Sequence, residues 1–240
     1  MEPVYRIYKQ LGETPLEALE RVRAEEGIAA DVPMTYAGRL DPAAEGVLIV
    51  LAGEECKNKD AYLSLPKTYL AEILLGVETD TYDLLGMPSL APKFPLPSLA
   101  PIAEFIDSKL GWQMQPYPPY SSKPVDGTPL HAHARAGNTV DLPEHEVELI
   151  SYEDLSVDMV EKEEVLLRVG ELVSAVTGDF RQKDITLGWA ELDMPEKLPI
   201  ISVTLSVSSG FYVREFAHDL GAALGTGACL YSLVRTQVGN

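Results

Sequence analysis

Cysteine is scarce in this sequence. The 240 residues include only Cys56 and Cys229, too few for the disulfide framework that stabilises many small secreted domains. Two isolated thiols fit a reducing compartment, so we expect a cytoplasmic protein in which both cysteines are ordinary buried side chains. Stability must then come from a core of apolar residues, which make up 46% of the chain.

Long apolar runs are also missing. No stretch approaches the roughly 20 consecutive apolar residues that a membrane-spanning helix needs, so we expect no membrane association. The sequence opens with Met-Glu-Pro instead of a basic segment followed by an apolar one, which argues against a secretory signal. At 240 residues the chain is long enough for one large domain or two small ones.

Positive charge is in short supply as well. Lys and Arg number 19 against 37 Asp and Glu, which gives a formal net charge of −18. A nucleic-acid partner usually requires a basic surface, so the overall charge argues against one. Net charge is an average, however, and a local basic groove is compatible with an acidic protein. The charge alone leaves both possibilities open.

Strand and helix signals alternate irregularly along the chain. The clearest helix start lies at residues 14–17, where Thr14 caps the helix, Pro15 fits its first turn and Glu17 completes a capping box. Because no regular strand–helix–strand repeat is present, we predict an α+β fold with a mixed, largely antiparallel sheet flanked by helices. The predicted strands are 4–9, 47–51, 67–76, 148–150, 165–169 and 200–207; the predicted helices are 14–27, 54–65, 98–110, 130–136 and 211–224; and 87–101 and 115–129 are predicted connectors.

Residues 36–50 form a loop that runs into an apolar strand. Gly38 and Pro42 mark tight backbone on either side of Asp41. Residues 47–51 are all apolar, which is typical of a strand covered on both faces. A carboxylate on a short loop at the mouth of a sheet is well placed for chemistry. Taken alone, this stretch favours a simpler interpretation, in which Asp41 only caps the loop.

This loop and five other segments resemble the TruB family of tRNA pseudouridine synthases. Residues 36–50 are similar to the family's Gly-His-x-Gly-x-Leu-Asp-Pro-x-Ala-x-Gly-Val-Leu motif, and residues 67–69 to its Lys-x-Tyr motif. One such segment would be weak, but six in the same order are specific. The remaining four are the polar loop 79–86, the Pro-Tyr-Ser stretch within 118–137, the Gly-Phe-Tyr-Val-Arg stretch within 210–228, and the ending 233–236.

The resemblance implies roles for five residues. Asp41 aligns with the family's catalytic aspartate. Tyr69 aligns with the aromatic residue that stacks on the target base and is a candidate proton acceptor. Arg214 aligns with the arginine that pairs with the catalytic carboxylate. Leu233 aligns with an apolar wall of the uracil pocket, and Asp80 with a second carboxylate near the arginine.

Three further residues are predicted to bind the substrate: Lys57, Lys67 and Tyr36. Lys57 lies on the predicted helix after the central strand, and Lys67 opens the Lys-x-Tyr motif. Tyr36 stands where the family usually has His, and its ring can still stack or donate a hydrogen bond in an RNA groove. Val234 replaces a basic residue of the family's ending, which removes one phosphate contact.

The implied chemistry needs one carboxylate and neither a metal nor a cofactor. A carboxylate can act as nucleophile or as acid and base, and a neighbouring arginine typically lowers an Asp pKa by about one to three units. A flipped-out base also needs an aromatic platform. Each residue has a purely structural interpretation too, with Tyr69 and Leu233 in the core and Arg214 on a helix surface. The ordered motifs favour the functional interpretation.

His131 and His133 form a His-x-His pair, which can ligate a metal on a strand. The pair falls in a predicted short helix without Cys or Glu at matching spacing, so we interpret both as surface or groove histidines. The resemblance implies a single catalytic domain over residues 1–240, in which residues 161–199 are predicted to be an insertion compared with compact family members. We expect no RNA-binding PUA-like domain after Gly239.

The sequence therefore predicts a monomeric, cytoplasmic pseudouridine synthase whose partner is tRNA and whose target, by the resemblance, is the T-loop uridine 55. Two alternatives stay open. The first is an RNA chaperone of the same fold without catalysis, which Tyr36 and the expected lack of a PUA-like domain favour. The second is a carboxylate-dependent hydrolase, which the acidic composition suits, although the chain shows no acid/base pair independent of Asp80.

Overall fold

A computed structural model describes residues 3–91 and 98–239 of the chain. It confirms the predicted α+β fold. Within these residues the strands are β1 Val4–Lys9, β2 Met34–Ala37, β3 Glu45–Ala52, β4 Lys67–Leu75, β5 Val77–Thr79, β6 Pro88–Leu90, β7 Gly111–Pro116, β8 Pro124–Val125, β9 Thr128–Pro129, β10 Glu144–Glu161, β11 Lys197–Val207 and β12 Ala228–Val238. The helices are α1 Pro15–Glu25, α2 Lys59–Leu63, α3 Leu99–Ser108, α4 Leu130–Arg135, α5 Lys162–Ala175, α6 Gln182–Glu191 and α7 Val213–Leu224, with a 3-10 helix at Gly53–Asn58.

The central sheet has eight strands in the order β1-β3-β12-β4-β11-β10-β7, and β2 also pairs with β3. Its strand pairs are antiparallel except one. The exception is β12 beside β3, where Val234 pairs with Glu45 and Arg235 with Gly46 in parallel register. The sheet is therefore mixed and largely antiparallel, as predicted. None of the helices in the described part of the chain is long and apolar enough to cross a membrane.

Strand β3 is covered on both faces, as its apolar sequence predicts. Leu48 and Val50 pack with α1 on one face, and Ile49 and Leu51 pack with Val238 on the other. Burial on alternate sides of one strand explains why this run lacks the polar residues of a half-exposed strand. The predicted capping box of α1 is also confirmed, and it fixes the helix start against this part of the sheet.

Helix α7 lies on the sheet beside β12. Gly221 allows this close approach, because a Cβ there would lie 2.3 Å from the backbone nitrogen of Ala228. The apolar face of α7 joins the largest core cluster through Val213, Phe216 and Leu220, as the sequence pattern predicts. The first turn of α7 therefore sits at the edge of the core.

Three predictions of local structure were wrong. Residues 165–169 were predicted as a strand, but they belong to α5, whose buried side chains Val165, Val169 and Leu172 recur at helical spacing. A short apolar run does not distinguish a buried helix from a strand. The predicted loop 115–129 contains the end of β7 and the small β8–β9 hairpin. The predicted connector 87–101 contains strand β6, and its residues 92–97 lie outside the described residues. Ser98 is the N-cap of α3 as predicted, although its side chain makes no capping hydrogen bond.

Candidate active site

Asp41 lies on the loop that joins β2 to β3. Gly38, with φ +85°, turns the chain at the start of this loop, and the Ala44 N–H donates to the Asp41 carbonyl to close the turn at its end. The Gly12 N–H holds the loop from outside by donating to the Pro42 carbonyl at 2.9 Å. The Asp41 side chain is 39% exposed, so it is held by its backbone yet open to a ligand.

Arg214, in the first turn of α7, points at Asp41. Its Nε donates to Asp41 Oδ2 at 2.8 Å, and its two terminal nitrogens donate to the carbonyls of Thr81 (2.7 Å) and Tyr120 (3.2 Å). The guanidinium is buried. Three acceptors from three separate loops hold the planar guanidinium of Arg214 in one orientation. The structure thus brings together the two residues that the sequence pairs.

A second carboxylate, that of Asp83, is buried beside the same guanidinium. Asp83 Oδ2 lies 3.7 Å from Arg214 Nε, and Oδ1 accepts from Thr81 Oγ1 at 2.7 Å and from the Leu85 N–H at 3.0 Å. Burial raises the pKa of Asp83, against the opposing effect of Arg214. Burial alone would lower the pKa of Arg214, but Asp41 and Asp83 more than offset this and raise it.

The prediction that Asp80 lies near Arg214 was wrong. Asp80 pairs with Arg181, whose terminal nitrogens lie 2.6 and 3.2 Å from its two oxygens, and it also accepts from the Tyr120 hydroxyl at 3.1 Å. The motif holds both carboxylates, three positions apart, and its spacing does not show which of them faces the arginine. Asp83 takes the place that sequence reasoning gave to Asp80.

A cavity of about 340 Å³ opens beside Asp41. Tyr69 on β4 and Leu233 on β12 form part of its wall, and both are buried. Leu233 pairs with Ala71, two residues from Tyr69, and side chains two residues apart share one face of a strand. The register of the sheet therefore places an aromatic ring and an apolar side chain in one cavity beside the carboxylate.

Tyr212 lines the same cavity. Burial, with the nearby Asp41 charge, raises the pKa of its hydroxyl to about 12. The Tyr212 hydroxyl therefore stays protonated even in mildly alkaline solution, and it is a hydrogen-bond donor in the wall of this cavity. Sequence reasoning missed this role, although Tyr212 lies within the Gly-Phe-Tyr-Val-Arg stretch.

The two predicted lysines differ in position. Lys67 also lines this cavity; it is buried, and its ammonium donates to the carbonyls of Leu63 and Leu65, each at 2.6 Å. Burial, helped by the Arg235 charge, lowers the Lys67 pKa to about 8. Lys57 is exposed and paired with Glu54 on the 3-10 helix, and it lines neither cavity at Asp41.

A second cavity, of about 380 Å³, meets the first at Asp41 and Arg214. Tyr36 lies in its wall, and the Lys59 ammonium lies 5.5 Å from the centre of the Tyr36 ring. His131 also lines this cavity and bonds the Ser121 carbonyl through Nδ1 at 3.1 Å. His133 bonds the Val125 carbonyl through Nε2 at 3.2 Å.

Arg235 is a site residue to which sequence reasoning gave no role. It is almost fully buried on β12 and donates to the carbonyls of Val47 (2.7 Å), Gly38 (3.2 Å) and Arg39 (3.3 Å). These bonds tie β12 to the start of the Asp41 loop. Arg235 lies in the Leu-Val-Arg-Thr ending, and this motif was the feature of the sequence that could have identified it as a site residue.

Comparison with known proteins decides the family. The family model described as TruB family pseudouridylate synthase (N terminal domain) matches residues 31–172, a span that holds Asp41, Tyr69 and Asp83. The chain belongs to the TruB family.

Relatives in this family are similar along nearly the whole chain. A protein from Deinococcus deserti called tRNA pseudouridine synthase B is 34% identical over 247 residues, which cover 99% of this chain and 74% of that protein. A protein of the same name from Deinococcus radiodurans is 32% identical, with the same two coverages. One from Xanthomonas oryzae is 32% identical and covers 93% of this chain and 58% of its own.

Solved structures of low sequence identity share the fold. A chain in the structure of an H/ACA RNP bound to a substrate RNA containing 2'-deoxyuridine has a TM-score of 0.55 at 17% identity. A chain in a Cbf5-Nop10-Gar1 complex has a TM-score of 0.56 at 18% identity. Each match covers 99% of the present chain but only 47% and 49% of those chains, so the present chain spans about half their length.

Proposed function

We propose that this protein isomerises uridine to pseudouridine in tRNA, at the T-loop uridine 55, and that Asp41 is its catalytic residue. The observation that carries the proposal is the contact between Asp41 and the buried Arg214 where two cavities meet. The relatives that bear the name tRNA pseudouridine synthase B support the reaction and the class of RNA.

Asp41 acts as an ionised carboxylate. The reaction breaks the bond between C1′ of the ribose and N1 of the base, rotates the base, and forms a new bond from C1′ to C5. The hydrogen on C5 leaves as a proton and N1 gains one, so atoms and electrons balance without a cofactor. The Arg214 fork holds one oxygen of Asp41, which leaves the other oxygen to attack the nucleoside or to move a proton.

The cavity beside Asp41 holds the base. A target uridine must leave its stack to reach the Asp41 carboxylate inside this cavity. Tyr69 and Leu233 supply an aromatic face and an apolar wall for the flipped base. Tyr69 is also the proposed acceptor of the C5 proton, and the Tyr212 hydroxyl is a further hydrogen-bond donor in the wall of the same cavity. Lys67 adds positive charge at the cavity wall.

The remaining contacts with RNA are local, because the chain is acidic overall. Tyr36 contacts RNA in the second cavity, and Asp80 positions Tyr120 and Arg181 at its wall. Lys57 contacts a phosphate outside both cavities. We further propose that the protein acts as a monomer in the cytoplasm.

Pseudouridine formation in an unmodified tRNA transcript tests the proposal. The purified parent protein is expected to form one pseudouridine at position 55, and Asp41→Asn to form none while still binding the transcript. Asp158→Asn is the matched control, since it makes the same change at an exposed position on β10. Binding without product in the parent would replace the enzyme with the RNA-chaperone alternative.

A further inference from the structure

Helices α5 and α6 form a pair between β10 and β11, in the segment 161–199 that is predicted to be an insertion. The connection between them, residues 176–181, reaches the Asp41 side of the molecule. Thr177 Oγ1 donates to Glu17 of α1 at 2.5 Å, and Arg135 of α4 donates to the Asp179 carbonyl at 2.9 Å. Contacts with two other helices therefore hold this connection in place.

Arg181 ends the connection in a strained conformation. Its φ of +58° lies in the left-handed region, which non-glycine residues adopt at a cost in free energy. The side chain explains why the conformation persists, because it pairs with both oxygens of Asp80 and its guanidinium lies 5.0 Å from the centre of the Tyr120 ring. Strain supported in this way is typical of functional positions.

The second cavity concentrates positive charge. Four of the chain's 19 basic residues line it, namely Arg39, Arg135, Arg181 and Arg214. They face the carboxylates of Asp41 and Asp83 in the wall and that of Asp80, which pairs with Arg181. In a chain of net charge −18 this is the kind of local basic groove that an overall charge conceals. A guanidinium fork suits a phosphate group because it can donate two parallel hydrogen bonds.

The same cavity has aromatic walls. Tyr36 and Phe180 line it, and its volume of about 380 Å³ falls within the roughly 300–1,000 Å³ of small-molecule pockets. Proteins that bind single-stranded nucleic acids combine aromatic side chains, on which the bases stack, with basic side chains along the backbone. Since this cavity meets the base cavity at Asp41, its occupant must be a direct neighbour of the reacting nucleotide.

We infer that the second cavity binds the nucleotide next to the target uridine, and that α5 and α6 serve to place Arg181 against its phosphate. This inference rests on the proposed function and adds to it a role for residues 162–191. Arg39 and Arg135 share the phosphate, and Tyr36 and Phe180 flank the base. The Asp80 pair uses two of the five donors of Arg181, so the fork is held in place with donors left for RNA.

The test compares Arg181→Ala with Lys183→Ala. Both remove one positive charge, and Lys183 is exposed on α6 outside the cavity wall. Affinity for the unmodified tRNA transcript is measured at several salt concentrations in an Asp41→Asn background, so that no turnover occurs. Arg181→Ala is expected to weaken binding roughly tenfold and to lower the slope of log affinity against log salt by about 0.7 to 0.9. Lys183→Ala should change neither quantity.

A second variant separates a lost phosphate contact from repulsion by the exposed Asp80 carboxylate. Arg181→Ala with Asp80→Asn lacks that carboxylate, and the inference requires that its salt slope stay low. Equal slopes for Arg181→Ala and Lys183→Ala, or full recovery in the double variant, would overturn the inference. Failure of the proposed function has a different signature, namely no pseudouridine in the parent, and the salt slopes still decide whether the cavity binds RNA.

Discussion

The Nε atom of Arg214 lies 2.8 Å from Oδ2 of Asp41, although 173 positions separate the two residues in the chain. The same guanidinium also donates to the carbonyls of Thr81 and Tyr120. Four segments of the chain therefore meet at one side chain. The position of the Asp41 carboxylate depends on how these segments pack together. A substitution in any of them should therefore change the geometry at Asp41.

Replacing Arg214 by Lys tests whether catalysis needs the planar guanidinium of Arg214 or only its positive charge. A lysine keeps the positive charge but cannot donate to all three acceptors in a fixed plane. We expect the rate constant for pseudouridine formation to fall by about a hundredfold or more, with little change in tRNA affinity. Single-turnover kinetics with saturating enzyme measures this rate, and Arg23→Lys on α1 is the control. A fall in affinity alone would assign Arg214 to binding.

The carboxylates Asp80 and Asp83 should differ in their effect on stability. Asp83→Asn changes a buried network around Arg214, so we expect the free energy of unfolding to fall by about 2–3 kcal/mol. The Asp80 pair is partly exposed, with side chains 35% and 26% accessible, so Asp80→Asn should cost about 1 kcal/mol or less. Urea unfolding measures both, and the reverse order would contradict the assignment of Asp83 to Arg214.

Gly46→Ala should damage the junction of β3 and β12. Gly46 has φ +113°, and a Cβ there would lie 2.3 Å from the Arg235 carbonyl oxygen. We expect a loss of roughly 2–4 kcal/mol in the free energy of unfolding, and lower activity because Arg235 holds the Asp41 loop.

Gly27→Ala separates backbone strain from the clash. Gly27 also has a positive φ, +61°, but nothing lies within 4 Å of its Cβ position. Its substitution should cost only about 1 kcal/mol and leave activity intact. Thermal unfolding measures the stability of both variants. Equal losses of stability would show that a Cβ at Gly46 does not clash with β12.

Glu215 should make stability depend on pH. Burial, with the nearby Asp219 charge, raises its pKa to about 7 from an ordinary value of 4.5, and its Oε2 has no hydrogen-bond partner within the described residues. The folded state therefore binds more protons than the unfolded state between these values. The contribution of Glu215 to the free energy of unfolding is therefore fully present below pH 4.5. This contribution is lost as the pH rises toward 7.

Glu215→Gln removes this titration. We expect the variant to be about 2 kcal/mol more stable than the parent at pH 8 and nearly equal to it at pH 4.5. Chemical denaturation at a series of pH values measures the difference, and Glu104→Gln at an exposed position of α3 is the control. A constant difference across this range would show that Glu215 does not titrate there.

Local signals in the sequence were enough for several elements. The Thr14 capping box and the apolar run of β3 involve residues that are close in the chain, so their patterns are complete in the sequence. The contact of Asp41 with Arg214 was predicted through the family motifs and not through physics, because nothing in either segment specifies the other.

The misses share one cause, namely dependence on distant parts of the chain. Whether Asp80 or Asp83 faces Arg214 depends on Arg181, which is about one hundred positions away. Residues 165–169 are helical because α5 buries one face against a second core cluster. The role of Arg235 depends on its pairing beside Gly46, which no local pattern shows.

The position of β12 has a consequence for how the protein is made. This strand lies between β3 and β4. Strand β4 therefore keeps an unpaired edge, and residues 45–46 of β3 lack their partner, until residues 228–238 have left the ribosome. Early in synthesis, the largely apolar strand β4 is therefore an open edge that can pair with other chains. The sheet closes and the Asp41 loop gains its anchor in the same late step, so the nascent chain cannot become active before it is protected from aggregation.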